Sequence, residues 1–117
     1  MIIFYGYKKC STCHKAEKAL EKSGCEYAFT DITEKPPSKA DLKSIQKQAG
    51  VPLRKLFNTS GGQYKALGLK DKVGSMGDEA IFDLLAKNGR LIKRPLVTDG
   101  RKSTVGFDEK VFKTAWR

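Results

Sequence analysis

Two cysteines separated by two residues stand where a short apolar segment gives way to a helical pattern, as Cys10-Ser11-Thr12-Cys13. Cys-x-x-Cys in such a position is typical of thiol–disulfide exchange, in which one thiolate attacks a disulfide and the second thiol resolves the product. Cys10 precedes the helix, where free backbone N–H groups and the positive end of the helix dipole stabilise a thiolate. We therefore predict that Cys10 attacks and that Cys13, one turn further in, resolves.

Three other interpretations of the motif stay open. A zinc site would need two more ligands, for which only His14 and Cys25 are available, and His14 would point elsewhere on the helix. The run from Cys10 to His14 also matches the haem-attachment pattern, which normally follows export, and we expect no export signal from so short an apolar N-terminus. The third interpretation is two ordinary thiols in a buried turn. Taken alone, His14 is expected on the helix surface and Cys25 is expected to pack as a small hydrophobe.

A strand–helix–strand unit must position these cysteines. Residues 2–5 are a continuous apolar run that predicts a buried central strand, and residues 25–32 predict a second strand. Between them, residues 11–23 predict a helix that ends at Gly24 and buries the face carrying Cys13, Ala16 and Leu20. The order predicts parallel strands joined by a right-handed crossover.

Residues of about 38–88 predict an all-helical insertion. Ser38 with Asp41 resembles a capping box, Gly50 ends the helix that follows, and Ser75 with Asp78 repeats the capping pattern.

The C-terminal part predicts a β-hairpin and a last helix. Residues 91–98 and 104–107 are the expected strands, with Asp99-Gly100 as the turn between them. Asp108 is the expected cap of the helix. The side chains expected to pack inward from it are Val111, Phe112, Ala115 and Trp116. The sum is one α/β domain over residues 1–117, with a thioredoxin-like mixed sheet of about four strands.

The composition limits the classes of partner. The 23 Lys and Arg residues exceed the 13 Asp and Glu residues, which gives a net charge of +10 that attracts anions. The basic residues are spread along the chain without an aromatic-plus-basic stacking motif, so a solvated surface is favoured and no direct contact with nucleic acid is expected. The sequence has no long apolar run for a membrane helix. We expect a cytoplasmic protein with no bound metal or cofactor.

Arg94-Pro95 interrupts the expected third strand, since proline removes a donor from a sheet. On general grounds alone, Pro95 would be trans and Arg94 would lie on the surface.

Over essentially its whole length the chain resembles the ArsC/Spx/MgsR family, the arsenate-reductase-like branch of the thioredoxin-like fold. The segments that carry the resemblance are Cys10-Ser11-Thr12-Cys13-His14-Lys15-Ala16, Glu34-Lys35-Pro36-Pro37-Ser38, Leu91-Ile92-Lys93-Arg94-Pro95-Leu96 and Val105-Gly106-Phe107. All four occur in the expected order, and the chain is most similar to a Cys-x-x-Cys branch of the family.

The resemblance implies roles for the site residues. Cys10 matches the nucleophilic cysteine, Arg94 matches an arginine that holds an oxyanion or stabilises the thiolate, and Pro95 matches a cis-proline beside the site. Ser11 and Thr12 are expected to shape the site together with Pro95. A thioredoxin, or glutathione with a glutaredoxin, would serve as the reductant.

Two departures from the reductases bear on the substrate. Glutaredoxin-coupled arsenate reductases place two further arginines around the anion, where this chain has Asn58 and Gly106. They also have a single cysteine at this turn. The favoured function is therefore a thiol–disulfide oxidoreductase. The alternatives are a redox-sensing regulator similar to Spx, which binds RNA polymerase, and a glutathione/glutaredoxin-dependent arsenate reductase.

Overall fold

A four-stranded mixed sheet forms the centre of the computed structural model, which describes residues 2–59 and 62–116. Its strands are β1 Ile2–Gly6, β2 Tyr27–Asp31, β3 Leu96–Thr98 and β4 Ser103–Val105. They lie in the order β2-β1-β3-β4. β2 is parallel to β1, whereas β3 is antiparallel to β1 and β4 is antiparallel to β3. The parallel first unit, the C-terminal hairpin and the mixed α/β sheet are confirmed.

Helices cover both faces of this sheet. They are α1 Ser11–Lys22, α2 Lys39–Ala49, α3 Gly62–Ala66, α4 Leu69–Lys72, α5 Asp78–Lys87 and α6 Glu109–Ala115. Short 3-10 turns occupy Leu53–Leu56, Val73–Ser75 and Gly89–Leu91. In the described part of the chain between β2 and β3, the regular elements are helical apart from a bridge between Phe57 and Ile92. No helix in the two described ranges is long and apolar enough to pass through a bilayer.

The sheet face under α1 and α6 carries one hydrophobic core, which includes Cys13. Cys13, Ala16 and Leu20 recur at helical spacing on α1 and are fully buried. Their partners include Phe4, Val97, Phe112 and Trp116. Full burial of a leucine or phenylalanine side chain contributes about 1.5–3 kcal/mol, so this packing fixes α1 firmly against the sheet. Gly24 follows α1 with a φ of 72° and ends it, as predicted.

The opposite face of the sheet carries a second core beneath the helical insertion. Leu42 and Ile45 of α2 pack there with Leu85 of α5 and Leu96 of β3. α2 lies mainly over β4. Ile3 on this face of β1 is consequently 37% exposed, so the predicted continuous burial of the first strand is wrong at that residue.

The strand expected over residues 91–98 is much shorter in the structure. Only Leu96–Thr98 pairs in the sheet, because Gly89–Leu91 forms a 3-10 turn and Pro95 has no N–H to donate. Ile92 instead bridges to Phe57. The returning strand is Ser103–Val105 rather than residues 104–107.

Helix caps show where local patterns succeed and fail. Ser38 accepts a hydrogen bond from the Asp41 N–H at 3.1 Å, as predicted. The expected cap at Ser75 is wrong, because its hydroxyl donates to the Lys72 carbonyl within a 3-10 turn. Gly77 is instead the N-cap of α5, and two acidic residues in the first turn favour that helix end.

The last helix also differs in part from its prediction. Asp108 caps α6 by accepting hydrogen bonds from the N–H groups of Lys110 and Val111, as expected. Phe112 and Trp116 are buried, but Val111 is 59% exposed, so its predicted inward packing is wrong. A helix of seven residues buries one narrow stripe, and Val111 lies beside that stripe.

Candidate active site

Cys10 occupies the N-cap of α1, with an extended backbone at φ −91° and ψ 116°. Its Sγ accepts a hydrogen bond from the Cys13 N–H at 3.4 Å. The side chain is half-buried, so the sulfur meets both the backbone amides and solvent. This is the position in which a helix N-terminus stabilises a thiolate.

Cys13 lies one turn inside α1 and is fully buried. Its thiol hydrogen-bonds the Cys10 sulfur, and the Tyr7 backbone N–H donates to it. Burial, reinforced by the neighbouring Cys10 sulfur, raises the pKa of the Cys13 thiol from 9.0 to about 12, although the Tyr7 bond and the charge of Arg94 oppose the rise. Cys13 is therefore a protonated thiol at neutral pH.

The raised pKa of Cys13 predicts a specific loss of stability in alkali. The folded state holds the Cys13 proton more tightly than the unfolded chain does. The stabilisation that this proton gives to the folded state is therefore fully present below pH 9 and is lost between pH 9 and about 12. We expect the reduced wild type to lose roughly 1 kcal/mol of unfolding free energy per pH unit over this range, relative to Cys13→Ser. Urea unfolding from pH 8 to 11 in the presence of a reductant measures it. Parallel curves for the two proteins would contradict the burial argument.

A cleft of about 600 Å³ opens beside the cysteine turn. Cys10, Thr12 and Arg94 line it together, as three predicted site residues brought to one place. Ser11 is exposed and is not among the lining residues. Lys55 and Lys93 also line the cleft, and the sequence analysis missed both. Lys93 could have been suspected from its place beside Arg94, whereas nothing in the sequence marks Lys55.

Arg94 brings a positive charge to this cleft. Its guanidinium lies over the Tyr7 ring, 5.4 Å from the centroid. Its positive charge acts to lower the pKa of the Cys13 thiol. Among the residues that the structure describes, Arg94 forms no ion pair with a carboxylate. The charge is available to an anion in the cleft.

Pro95 is buried directly behind this arginine, and the Arg94–Pro95 peptide bond is cis, as the family resemblance implies. The carbonyl of Pro95 accepts a hydrogen bond from the Gly106 N–H at 2.9 Å. Pro95 thereby joins the two C-terminal strands at the wall of the cleft.

Asn58 and Gly106, which the family resemblance matches to two arginines of the reductases, both line the cleft. Asn58 is half-buried, and its N–H donates to the Leu91 carbonyl at 2.7 Å. Gly106 has a φ of 75°, which a residue with a side chain adopts only with strain. The positive charge of the cleft therefore comes from Arg94, Lys55 and Lys93, and not from the three arginines that the resemblance to the reductases implies.

The remaining candidates for ligation lie in separate contacts. The exposed His14 donates from Nε2 to the Lys8 carbonyl. The half-buried Cys25 donates from Sγ to the Trp116 carbonyl at 3.5 Å. Within residues 2–59 and 62–116, no three His, Cys, Asp or Glu side chains gather as ligands for a metal ion. The arrangement at Cys10 places a half-buried thiol and a cation in one cleft, with the buried Cys13 thiol one turn away.

Comparison with known proteins agrees with this geometry. A model of the ArsC family matches residues 5–115. The chain is 50% identical to the protein YusI of Bacillus subtilis, over 98% of each chain. It is 26% identical to the global transcriptional regulator Spx of Listeria innocua, over 93% of this chain and 82% of that one. The crystal structure of a possible arsenate reductase from Streptococcus mutans matches with a TM-score of 0.85 and 41% identity, over 92% of this chain and 91% of that one.

Proposed function

Because the chain belongs to the ArsC family and has its arsenate-reductase-like fold, we propose that it is a thiol–disulfide oxidoreductase. Cys10 is the nucleophile and Cys13 is the resolving thiol. The observation that carries the proposal is the half-buried Cys10 sulfur, which lines an open cleft and accepts a hydrogen bond from the backbone N–H of the buried Cys13.

The proposed reaction proceeds in two exchanges. The Cys10 thiolate attacks one sulfur of a substrate disulfide, forms a mixed disulfide with it and releases the other sulfur as a thiolate. Cys13 then loses its proton and attacks the Cys10 sulfur, which releases the second substrate thiolate. The substrate gains two electrons, and the protein is left with a Cys10–Cys13 disulfide. A dithiol such as thioredoxin, or two molecules of glutathione, returns the two electrons in the reducing cytoplasm.

The environment of Cys13 separates these two steps in time. In the reduced protein its pKa of about 12 keeps it protonated, so it does not compete with Cys10 for the substrate. When Cys10 enters the mixed disulfide, the neighbouring thiolate disappears, and with it two of the causes that raise the pKa of Cys13. Cys13 becomes easier to deprotonate at the stage at which it must attack. No bound metal or cofactor takes part.

Mapping the disulfide tests this proposal directly. Reduced protein treated with a slight excess of hydroxyethyl disulfide, then alkylated, digested and analysed by mass spectrometry, should yield a Cys10–Cys13 link with Cys25 alkylated. Cys25 is the internal control, because its sulfur bonds the Trp116 carbonyl rather than either site cysteine. Recovery of all three cysteines in alkylated form, or a link through Cys25, would refute the mechanism.

A redox-sensing regulator is the second candidate, and the 26% identity to Spx favours it. In that case the same disulfide would alter a surface that binds RNA polymerase. The test compares the amount of RNA polymerase captured by the reduced and the oxidised protein. A difference for the wild type, with no difference for Cys10→Ser, would support this candidate.

Arsenate reduction is the third candidate, supported by the similarity to the possible arsenate reductase of Streptococcus mutans and by Arg94 beside Cys10. Production of arsenite from millimolar arsenate by the pure protein with glutathione and glutaredoxin would support it. A thiol–disulfide activity without arsenite production would leave the first proposal in place and exclude this one.

A further inference from the structure

A second concave surface lies between α1 and α6, and we call it the lysine groove. Its volume is about 220 Å³. Lys15, Lys18 and Lys22 of α1 line it on one side and Lys113 of α6 on the other. Nothing in the proposed chemistry at Cys10 uses these four cations.

Most of this positive charge is unneutralised. In the described part of the chain, Lys15, Lys18 and Lys22 form no ion pair with a carboxylate. Lys113 pairs with Glu109 at 2.8 Å, and Glu109 is the acidic residue that lines the groove. The pKa of Glu109 is lowered by Lys113, with a smaller contribution from Lys22. The groove therefore keeps a positive excess that attracts anionic side chains.

The groove adjoins the cleft that holds Cys10. Phe107 lines both of them, and Phe107 and Ala19 are the apolar residues that line the groove. At 1.5 Å of rise per residue, Lys15 and Lys22 lie roughly 8 Å and 18 Å along the axis of α1 from Cys10. An extended chain that presents a sulfur to Cys10 and passes over Phe107 would reach these lysines about two to five residues later, at roughly 3.3 Å per residue.

We propose that the lysine groove binds an acidic segment of a protein substrate, placed about two to five residues from the cysteine whose disulfide Cys10 attacks. The inference rests on the proposed function and specifies its substrate class. A protein fits better than a nucleic acid for two reasons. Only a protein partner carries a disulfide into the adjoining cleft, and the apolar side chains of Phe107 and Ala19 suit a polypeptide better than a row of phosphates.

Peptides activated on sulfur test this proposal. The probe is a decapeptide with one cysteine as its 2-pyridyl disulfide and with aspartates at about two to five residues on either side. The matched peptide has asparagines there. Cys10 attacks the peptide sulfur, forms a mixed disulfide with it and releases 2-thiopyridone, whose absorbance gives the rate. We expect the wild type to react about tenfold faster with the acidic peptide at low salt, and this preference to vanish in 0.5 M NaCl.

Two triple variants with the same change in charge locate the effect. Lys15→Gln, Lys18→Gln and Lys22→Gln together should abolish the preference, whereas Lys47→Gln, Lys72→Gln and Lys87→Gln, at exposed lysines outside the groove, should keep it. A preference for the acidic peptide that persists in the first triple variant overturns the proposal. Binding of single-stranded RNA to the groove that blocks the reaction with the acidic peptide also overturns it. The small neutral reagent 2,2′-dithiodipyridine should react equally with all three proteins. Failure of that reaction in the wild type would refute the proposed function instead.

Discussion

Replacing Cys10 with serine should lower the rate of disulfide reduction by at least about a thousandfold, because a serine hydroxyl is not ionised at neutral pH and a thiolate is the attacking species. The helix N-terminus that faces Cys10 cannot compensate, since it stabilises a negative charge that serine does not carry. The measurement is the rate of reduction of hydroxyethyl disulfide in a coupled assay with glutathione, and separately with thioredoxin.

Cys13→Ser should behave quite differently from Cys10→Ser. Its protonated thiol takes no part in the first attack, and a serine hydroxyl can donate the same hydrogen bond to Cys10, so formation of the mixed disulfide should stay within several-fold of the wild type. Intact-mass measurement should show that mixed disulfide accumulating, because no resolving thiol remains. Cys25→Ser is the control and should retain both steps. Equal activity of Cys10→Ser and the wild type would remove the basis of the proposed mechanism.

Gly89→Ala should cost about 3 kcal/mol or more of unfolding free energy, the largest expected effect of a single methyl group in this fold. Gly89 is buried, and a Cβ there would stand 1.7 Å from the Ile32 carbonyl oxygen and 2.7 Å from its carbon. Both atoms belong to the backbone just after β2, so they cannot rotate away as a side chain would. Urea unfolding followed by circular dichroism should show a lower midpoint and a melting temperature lower by about 10 °C or more.

Gly74→Ala is the matched control for that substitution. Gly74 also lies in a 3-10 turn, but nothing stands within 4 Å of a Cβ built on it. Alanine there should leave stability within about 1 kcal/mol of the wild type, and should slightly favour the fold by restricting the unfolded chain. If Gly89→Ala yields no soluble protein while Gly74→Ala does, that outcome also supports the predicted loss of stability at Gly89. Equal stability of the two would contradict the close approach at Ile32.

The parts of the fold that sequence predicts are those decided by neighbours along the chain. The place of Cys10 just before the helix, Gly24 as a helix end and Asp108 as a cap each depend on a hydrogen bond or a backbone angle within a few residues. The helical face of Cys13 and Leu20 follows from spacing alone. For the same reason the position of Cys10 before α1 could be predicted without knowledge of the rest of the molecule.

The errors at Ile92 and Ile3, and the gaps in the predicted site, fall where distant segments decide the outcome. Ile92 is β-branched and therefore typical of a strand, yet it pairs with Phe57, far away in sequence, and not with a strand of the sheet. Ile3 is partly exposed because α2 lies mainly over β4, which no local pattern reveals. Arg94 could be assigned to the site only through the family resemblance, and Lys55 could not be assigned at all. The cleft joins four separate stretches of the chain, so its composition emerges only with the tertiary fold.

The bridge between Phe57 and Ile92 has a consequence for attempts to simplify this molecule. The Lys93 N–H donates to the Leu56 carbonyl at 2.6 Å, and the Asn58 N–H donates to the Leu91 carbonyl at 2.7 Å. The segment that leads into Arg94 is thus held by the helical insertion rather than by the sheet. A minimal scaffold made by deleting the insertion would retain the cysteine turn on α1 but would release the guanidinium that faces it. Trimming this protein to its sheet would separate Cys10 from Arg94, although neither residue had been altered.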